Sequence, residues 1–164
     1  IDDTSGNSYA GINDATTLNF IAVDNVSPTL ASTTPADNAT GVVPSANIVL
    51  TFSENVQVGS GNITIFKSDN TQVEAIDVTS GLVTVSGAAV TVNPSSNLDS
   101  FQGYYVKVAA TAIDDLSGNS YSGINDTTTF NFTTGDGQAP TVLITGPSGL
   151  AAVSYTHLTL PTIE

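Results

Sequence analysis

The side chains in this sequence that can do chemistry are almost all carboxylates. Asp114 and Asp115 stand side by side and are followed by Gly118 and Asn119, so one tight loop gathers three or four oxygen donors. Calcium takes about six to eight such oxygens in irregular geometry, which loops supply more readily than the strict octahedron of magnesium. The spacing is not that of an EF-hand, and no glycine-rich nonapeptide repeat is present. Asp24, Glu54, Asp114, Asp115 and Asn119 are the candidate ligands, and Ca2+ is the cofactor they suit. A carboxylate pair can also serve as general acid and base, which needs both groups aimed at one bond. Adjacent residues on an extended segment point apart, so Asp114 and Asp115 are not such a pair and no catalytic residue is expected. Other reagents are missing: the chain has no cysteine for a thiolate site or disulfide, and its one histidine is His157.

The elements that must position these carboxylates follow from composition. Twelve of the fifteen acidic residues are aspartates, and they fall in loop-like stretches where they also initiate turns by hydrogen bonding to the backbone. A formal charge of −13 with two lysines and no arginine leaves no basic face, which excludes nucleic acid and anionic lipid as partners. With 40% hydrophobic and only 10% charged residues the chain can bury a core. Threonine, serine, asparagine, glycine, valine and alanine dominate, while the residues that fill exposed helix positions are nearly missing, so strands are expected throughout. No run approaches the roughly twenty apolar residues of a membrane helix, so no membrane insertion is expected in this segment.

The strongest signal is a repeat. IDDTSGNSYAGINDATTLNF, from Ile1 to Phe20, recurs as IDDLSGNSYSGINDTTTFNF, from Ile113 to Phe132, with 16 of 20 positions identical at an offset of 112. The offset persists beyond the block, since Asp24, Pro28, Thr29 and Pro35 fall on Asp136, Pro140, Thr141 and Pro147. A period of about 112 residues is too long for a solenoid turn and matches one sandwich domain. The expected layout is the C-terminal end of a preceding repeat over 1–23, a complete domain over 24–134, and a linker with the start of a third repeat over 135–152. Residues 153–164 break the composition and resemble a translated sequencing-adapter tail, so they are set apart as a non-native tail. The linker of about four to six residues makes neighbouring repeats touch, as in a rod. Residues 16–21 read as a last strand that copies 128–133, and the two copies can compete for one slot.

Within the complete domain the apolar residues alternate. Ile48, Leu50 and Phe52 share one face, followed by Ile63 and Ile65, Val83 and Val85, Val90 and Val92, then Tyr104, Val106 and Val108, and finally Phe130 and Phe132. Turn residues separate them, including a long loop from Asp114 to Asp126. About seven short strands at this spacing predict an all-β fold, an immunoglobulin-like Greek-key β-sandwich, with a closed barrel as the alternative. In the sandwich the loop holding Glu54, the loop holding Asp115 and the incoming linker with Asp24 meet at one pole, where a cation would relieve carboxylate repulsion and stiffen the joint. Tyr104 is placed for a tyrosine corner. Lys107 and Asn131 raise the thought of an isopeptide crosslink, although a strand lysine is more often simply exposed. Tyr9 and Tyr121 either stack on a sugar or cover the edge of the core.

Three motifs in order carry a resemblance: LTFSENV from Leu50 to Val56, Leu98 followed by GYYVKV from Gly103 to Val108, and DLSGN from Asp115 to Asn119, with TFNFTT closing the domain. The sequence resembles the bacterial Ig-like domains found in tandem in surface-layer-type proteins and large adhesins. Glu54 takes the acidic position of that pattern, Tyr104 its tyrosine, and Asp115, Gly118 and Asn119 its third motif. The stretch from Ser120 to Asp126 is longer than the pattern needs. The resemblance implies a non-catalytic, extracellular role at a cell surface, as a structural or adhesive stalk whose partners are neighbouring repeats of the same chain and a cell-surface or glycan ligand. The alternative is a carbohydrate-binding accessory module of a secreted hydrolase.

Overall fold

The computed structural model describes residues 1–137, so the expectations for the third repeat beyond Gly137 and for the tail over 153–164 lie outside the described residues. The chain folds as strands and turns with no helix among the described residues, and none is long and apolar enough to cross a membrane. β1 (Leu30–Thr34), β3 (Ile48–Phe52), β7 (Val83–Ser86) and β8 (Ala89–Val92) form one sheet in the order β1-β3-β8-β7. β2 (Ala39–Val42), β5 (Asn62–Lys67), β6 (Gln72–Asp77), β9 (Gly103–Val108) and β11 (Asn131–Thr134) form the second, in the order β2-β11-β9-β5-β6. A two-stranded ribbon of β4 (Val56–Val58) and β10 (Ile113–Asp115) stands at one end. After β3 the chain crosses to the second sheet at β5, returns to the first at β7 and crosses again from β8 to β9, which is the Greek-key connectivity of an immunoglobulin-like sandwich.

The alternation has its expected cause. Ile48, Leu50, Phe52, Ile63, Ile65, Val90, Val92, Tyr104, Val106 and Val108 all point between the sheets and are buried, and Phe130 and Phe132 close the same core. Strand number differs from expectation: eleven short elements replace about seven. The first edge strand is divided into β1 and β2, one in each sheet, around Pro35, which cannot donate to a ladder. β4 and β10 are three residues each and carry too little pattern to be seen in sequence. The segment after Asp114 is a lid on the core and not a free loop. Tyr121 is buried edge-on against Phe52, with ring centroids 5.2 Å apart, and Ile124 pairs with Val108.

Three further side chains bear on the expectations from sequence. The backbone N–H of Asp99 donates to the Tyr104 hydroxyl at 2.8 Å, so the tyrosine corner is present. The Asn131 amide donates to Asp37 at 3.0 Å while the Lys107 ammonium lies over the Phe66 ring, 5.8 Å from its centroid, so each has a partner other than the other. Residues 16–21 are not a strand. No strand pairs with them among the described residues, and Leu18, Phe20 and Ile21 stand exposed.

Candidate metal centre

The ribbon builds the acidic pole. β10 pairs antiparallel with β4, placing Asp115 opposite Val56, two residues past Glu54 in the turn that ends β3. Asp115 then opens a tight loop: its backbone N–H donates to the Asn119 carbonyl at 2.9 Å, and Gly118 turns with φ +91°, a left-handed conformation that suits glycine. One Asp115 carboxylate oxygen accepts the N–H groups of Ser117 and Asn119, both at 2.8 Å. The other accepts the Asn119 side-chain amide at 2.7 Å. Gln57 donates to the Asp115 carbonyl at 2.8 Å and ties the loop to β4; a glutamine on an edge strand gave no signal for this in the sequence.

The first copy of the repeat forms the same loop. Asp3 accepts from the N–H groups of Ser5 and Asn7 at 2.9 Å and from the Asn7 amide at 2.9 Å. Ser8 donates to Asp2 at 2.6 Å, as Ser120 donates to Asp114 at 2.6 Å. The geometry is therefore local in origin, an aspartate collecting the N–H groups that follow it.

Asp24, Glu54 and Asp115 each bring a carboxylate oxygen to within 4.8 Å of the other two. Asp115 is buried, Glu54 half-buried and Asp24 exposed. Asp114 is not with them. Strand alternation turns it to the opposite side of β10, where it accepts from Ser120 and lies so close to Gly59 that a Cβ there would come within 2.8 Å of its carboxylate. Asn119 sits at the centre of the pole as a tie: the same amide that donates to Asp115 also reaches the Asp24 carbonyl at 3.1 Å and the Val26 carbonyl at 3.5 Å. The stretch before β1 is thus fastened to the sandwich through its backbone. Sequence pattern could bring Asp24 to this pole, but not foresee that its carbonyl is held there.

The electrostatics are those of an uncompensated anionic site. Partial burial, together with the charges of Asp24 and Asp115, raises the Glu54 carboxyl above its ordinary value. Asp115 goes the other way: burial pushes it up, but the hydrogen bonds from the Asn119 side chain and from the backbone of Asn119, Ser117 and Gly118 outweigh it and hold it low. Neither lysine can compensate the cluster. Lys67 is paired with Asp99 at 2.7 Å, and Lys107 covers Phe66. Three hard oxygen groups and neighbouring backbone carbonyls, with no ammonium nearby, are a donor set that fits a calcium ion. A separate groove of about 720 Å3 beside β9 and β11, bordered by Ser68, Asn70, Tyr105 and Asn131, holds no carboxylate.

No curated protein matches the chain. Among solved structures, the chain is similar to CopC from Methylosinus trichosporium OB3b at 14% identity and a TM-score of 0.49, covering 70% of this chain and 99% of that one. It is also similar to the S-layer protein rSbsC(31-844), at 20% identity and a TM-score of 0.44 over 67% of this chain. The N-terminal part of the bacterial S-layer protein SbsC gives 21% and 0.44, again over 67% of this chain. The chain spans only 14% and 24% of those two S-layer structures. The family model of the bacterial Ig-like domain matches residues 24–134, the span that contains β1 to β11, and the chain belongs to the bacterial Ig-like domain family.

Proposed function

We propose that the chain is part of the extracellular stalk of a bacterial surface protein, in which Ig-like repeats follow one another in tandem and the acidic pole of each takes up calcium to fix its angle to the repeat before. The observation that supports this reading is the Asn119 amide, which joins Asp115 to Asp24 and Val26, where the domain begins, beside three converging carboxylates. A linker held by its backbone transmits orientation, whereas a free one only sets distance.

The residues divide the task. Asp115 is prearranged by its hydrogen bonds, Glu54 carries a charge that burial and its two acidic neighbours disfavour, and Asp24 brings the stretch before β1 into the cluster. Bound calcium would supply a positive charge between the three carboxylates. Neighbouring repeats are the first partners of such a stalk, and adhesion to a cell-surface or glycan ligand belongs to the protein as a whole. The non-catalytic reading is supported by Asp114 and Asp115, which face opposite sides of β10. The sugar-platform alternative loses Tyr121, whose ring is spent on Phe52 inside the core.

Thermal unfolding of the full chain in calcium and in chelator tests the proposal. Calcium should raise the midpoint. Glu54→Gln should raise it slightly in chelator, by removing a repelled charge, and abolish the response to calcium. A midpoint that calcium leaves unchanged would remove the metal from the account.

A further inference from the structure

We infer that the groove on the outer face of the second sheet, around Gly103, is a binding site for a neutral sugar. β9 is the central strand of that sheet. Tyr104, Val106 and Val108 turn into the core, so Gly103, Tyr105 and Lys107 lie along the outside. Gly103 stands between Ser68 and Thr133: the Ser68 N–H donates to its carbonyl at 2.9 Å, and Thr133 is its partner on β11. Its backbone is not left-handed, so glycine serves there for room and not for conformation; a Cβ would come within 3.1 Å of the Ser68 hydroxyl. A bare position in the middle of a sheet lets another molecule approach the backbone closely. Gly103 is part of the lining of the groove of about 720 Å3, within the range of about 300–1,000 Å3 usual for small-ligand sites.

Two amides that border the groove are each pinned by one end and offer the other. The Tyr105 hydroxyl donates to the Asn70 side-chain carbonyl at 3.0 Å, which fixes that amide and leaves its NH2 group to donate. Asp37 holds Asn131 by its NH2 group at 3.0 Å, so Asn131 keeps a carbonyl to accept. Ser68, Thr127 and Thr133 add three hydroxyls, and none of these five groups has a hydrogen-bond partner among the described residues. Tyr105 supplies an apolar wall, its ring backed by Phe66 with centroids 5.1 Å apart. A donor and an acceptor are thus fixed before any ligand arrives, which spares part of the ordering cost of binding.

The chemistry of the lining selects the ligand. No bordering residue is charged, so a cation finds no carboxylate and an anion no ammonium, and the formal charge of −13 repels anions further. An apolar ligand would leave the amides and hydroxyls without partners. A peptide strand adds to a free sheet edge, whereas β9 is paired on both sides, to β5 and to β11. A sugar ring fits: each hydroxyl both donates and accepts, and its C–H groups meet the apolar wall. The groove shares no residue with the acidic pole, so this inference is independent of the calcium proposal.

The test is a titration of the full chain, labelled with 15N, with the methyl glycosides of glucose, galactose, mannose and N-acetylglucosamine. Glucose 6-phosphate and N-acetyl-trialanine amide are the charged and peptide counterparts. At least one neutral glycoside should shift the amide signals of Ser68, Asn70, Gly103 and Thr133 saturably, alike in calcium and in chelator. Asn70→Gly combined with Thr133→Ala removes two ligand contacts at exposed positions, and glycine suits the φ of +69° at position 70. This double variant should weaken the binding by about 10- to 30-fold. Gly103→Val, which fills the groove, should abolish it; should that variant fail to fold, the double variant decides. Four results would overturn the inference: no saturable shift with any of the four glycosides, shifts centred on other residues, equal affinity in the double variant, or equally tight binding of the charged or the peptide probe.

Discussion

Removing the Tyr104 hydroxyl isolates one bond that fixes the end of the domain opposite the acidic pole. Tyr104→Phe keeps the ring, which stacks on Phe132 with centroids 5.8 Å apart, and deletes only the acceptor of the Asp99 N–H. That N–H lies in a turn knit by the Thr134 hydroxyl, which donates to the Asp99 carbonyl at 2.6 Å, so little room is left for a replacement partner. A partly buried donor left without its acceptor costs about 1.5 kcal/mol. For a domain covering 24–134, an unfolding entropy of about 2.1 cal/mol/K per residue converts this to a drop of roughly 6 °C in the melting midpoint. The neighbouring tyrosine is the control. Tyr105 donates from the outer face to the Asn70 side chain at 3.0 Å, where water can take over, so Tyr105→Phe should cost about 0.5 kcal/mol or less, roughly 2 °C. Circular dichroism melts of the two variants beside the parent decide the matter. Equal losses, or a smaller loss for Tyr104→Phe, would refute the argument that the corner and not the phenol itself supplies the stability.

Other outcomes follow from the same reasoning. Phe130 is fully buried, so Phe130→Ala should cost about 3–5 kcal/mol in urea unfolding, while Phe130→Leu, the residue that the first copy carries as Leu18, should cost only about 1 kcal/mol. Acid should destabilise the domain. Hydrogen bonds from the Thr129 hydroxyl, the Thr128 and Thr129 N–H groups and the Thr128 hydroxyl hold Asp126 well below the carboxylate range, and Asp115 is held low as described, so both stabilise the fold above the unfolded value of about 4 and lose that effect as pH falls through their folded values. Glu54 has the opposite sign, since its raised value makes the calcium-free fold lose stability as pH rises from the unfolded to the folded value. Urea midpoints from about pH 6 to pH 2 should therefore fall overall, more shallowly for Asp126→Asn and more steeply for Glu54→Gln.

Much of the sandwich was legible because alternation is a local signal with a single cause. Ile48, Leu50 and Phe52, or Tyr104, Val106 and Val108, advertise their common face in sequence, and each of them is buried. Tyr105 breaks the rule. It belongs to the outer face yet is buried too, because Phe66 of β5 stacks on it with centroids 5.1 Å apart, a contact that only sheet register provides. Residues 16–21 fail for a related reason: they carry a strand's pattern, but whether a pattern becomes a strand depends on a partner. At the acidic pole, Asp115 and Glu54 were within reach of topology alone. The separation of Asp114 from them was not, since it rests on which of two adjoining residues lies opposite Val56.

The two strands that carry the chain into and out of the second sheet lie side by side and run the same way. β2 and β11 pair in parallel, Phe132 beside Ala39 and Thr134 beside Val42, with Asp37 accepting both the N–H and the amide of Asn131. When such a domain is stretched by its ends, tension draws β2 toward one pole and β11 toward the other, so the bonds between them are sheared together and do not open one after another. A domain sheared in this way should yield at higher load than a hairpin peeled from its tip. Single-molecule pulling should find that load reduced by Asp37→Ala.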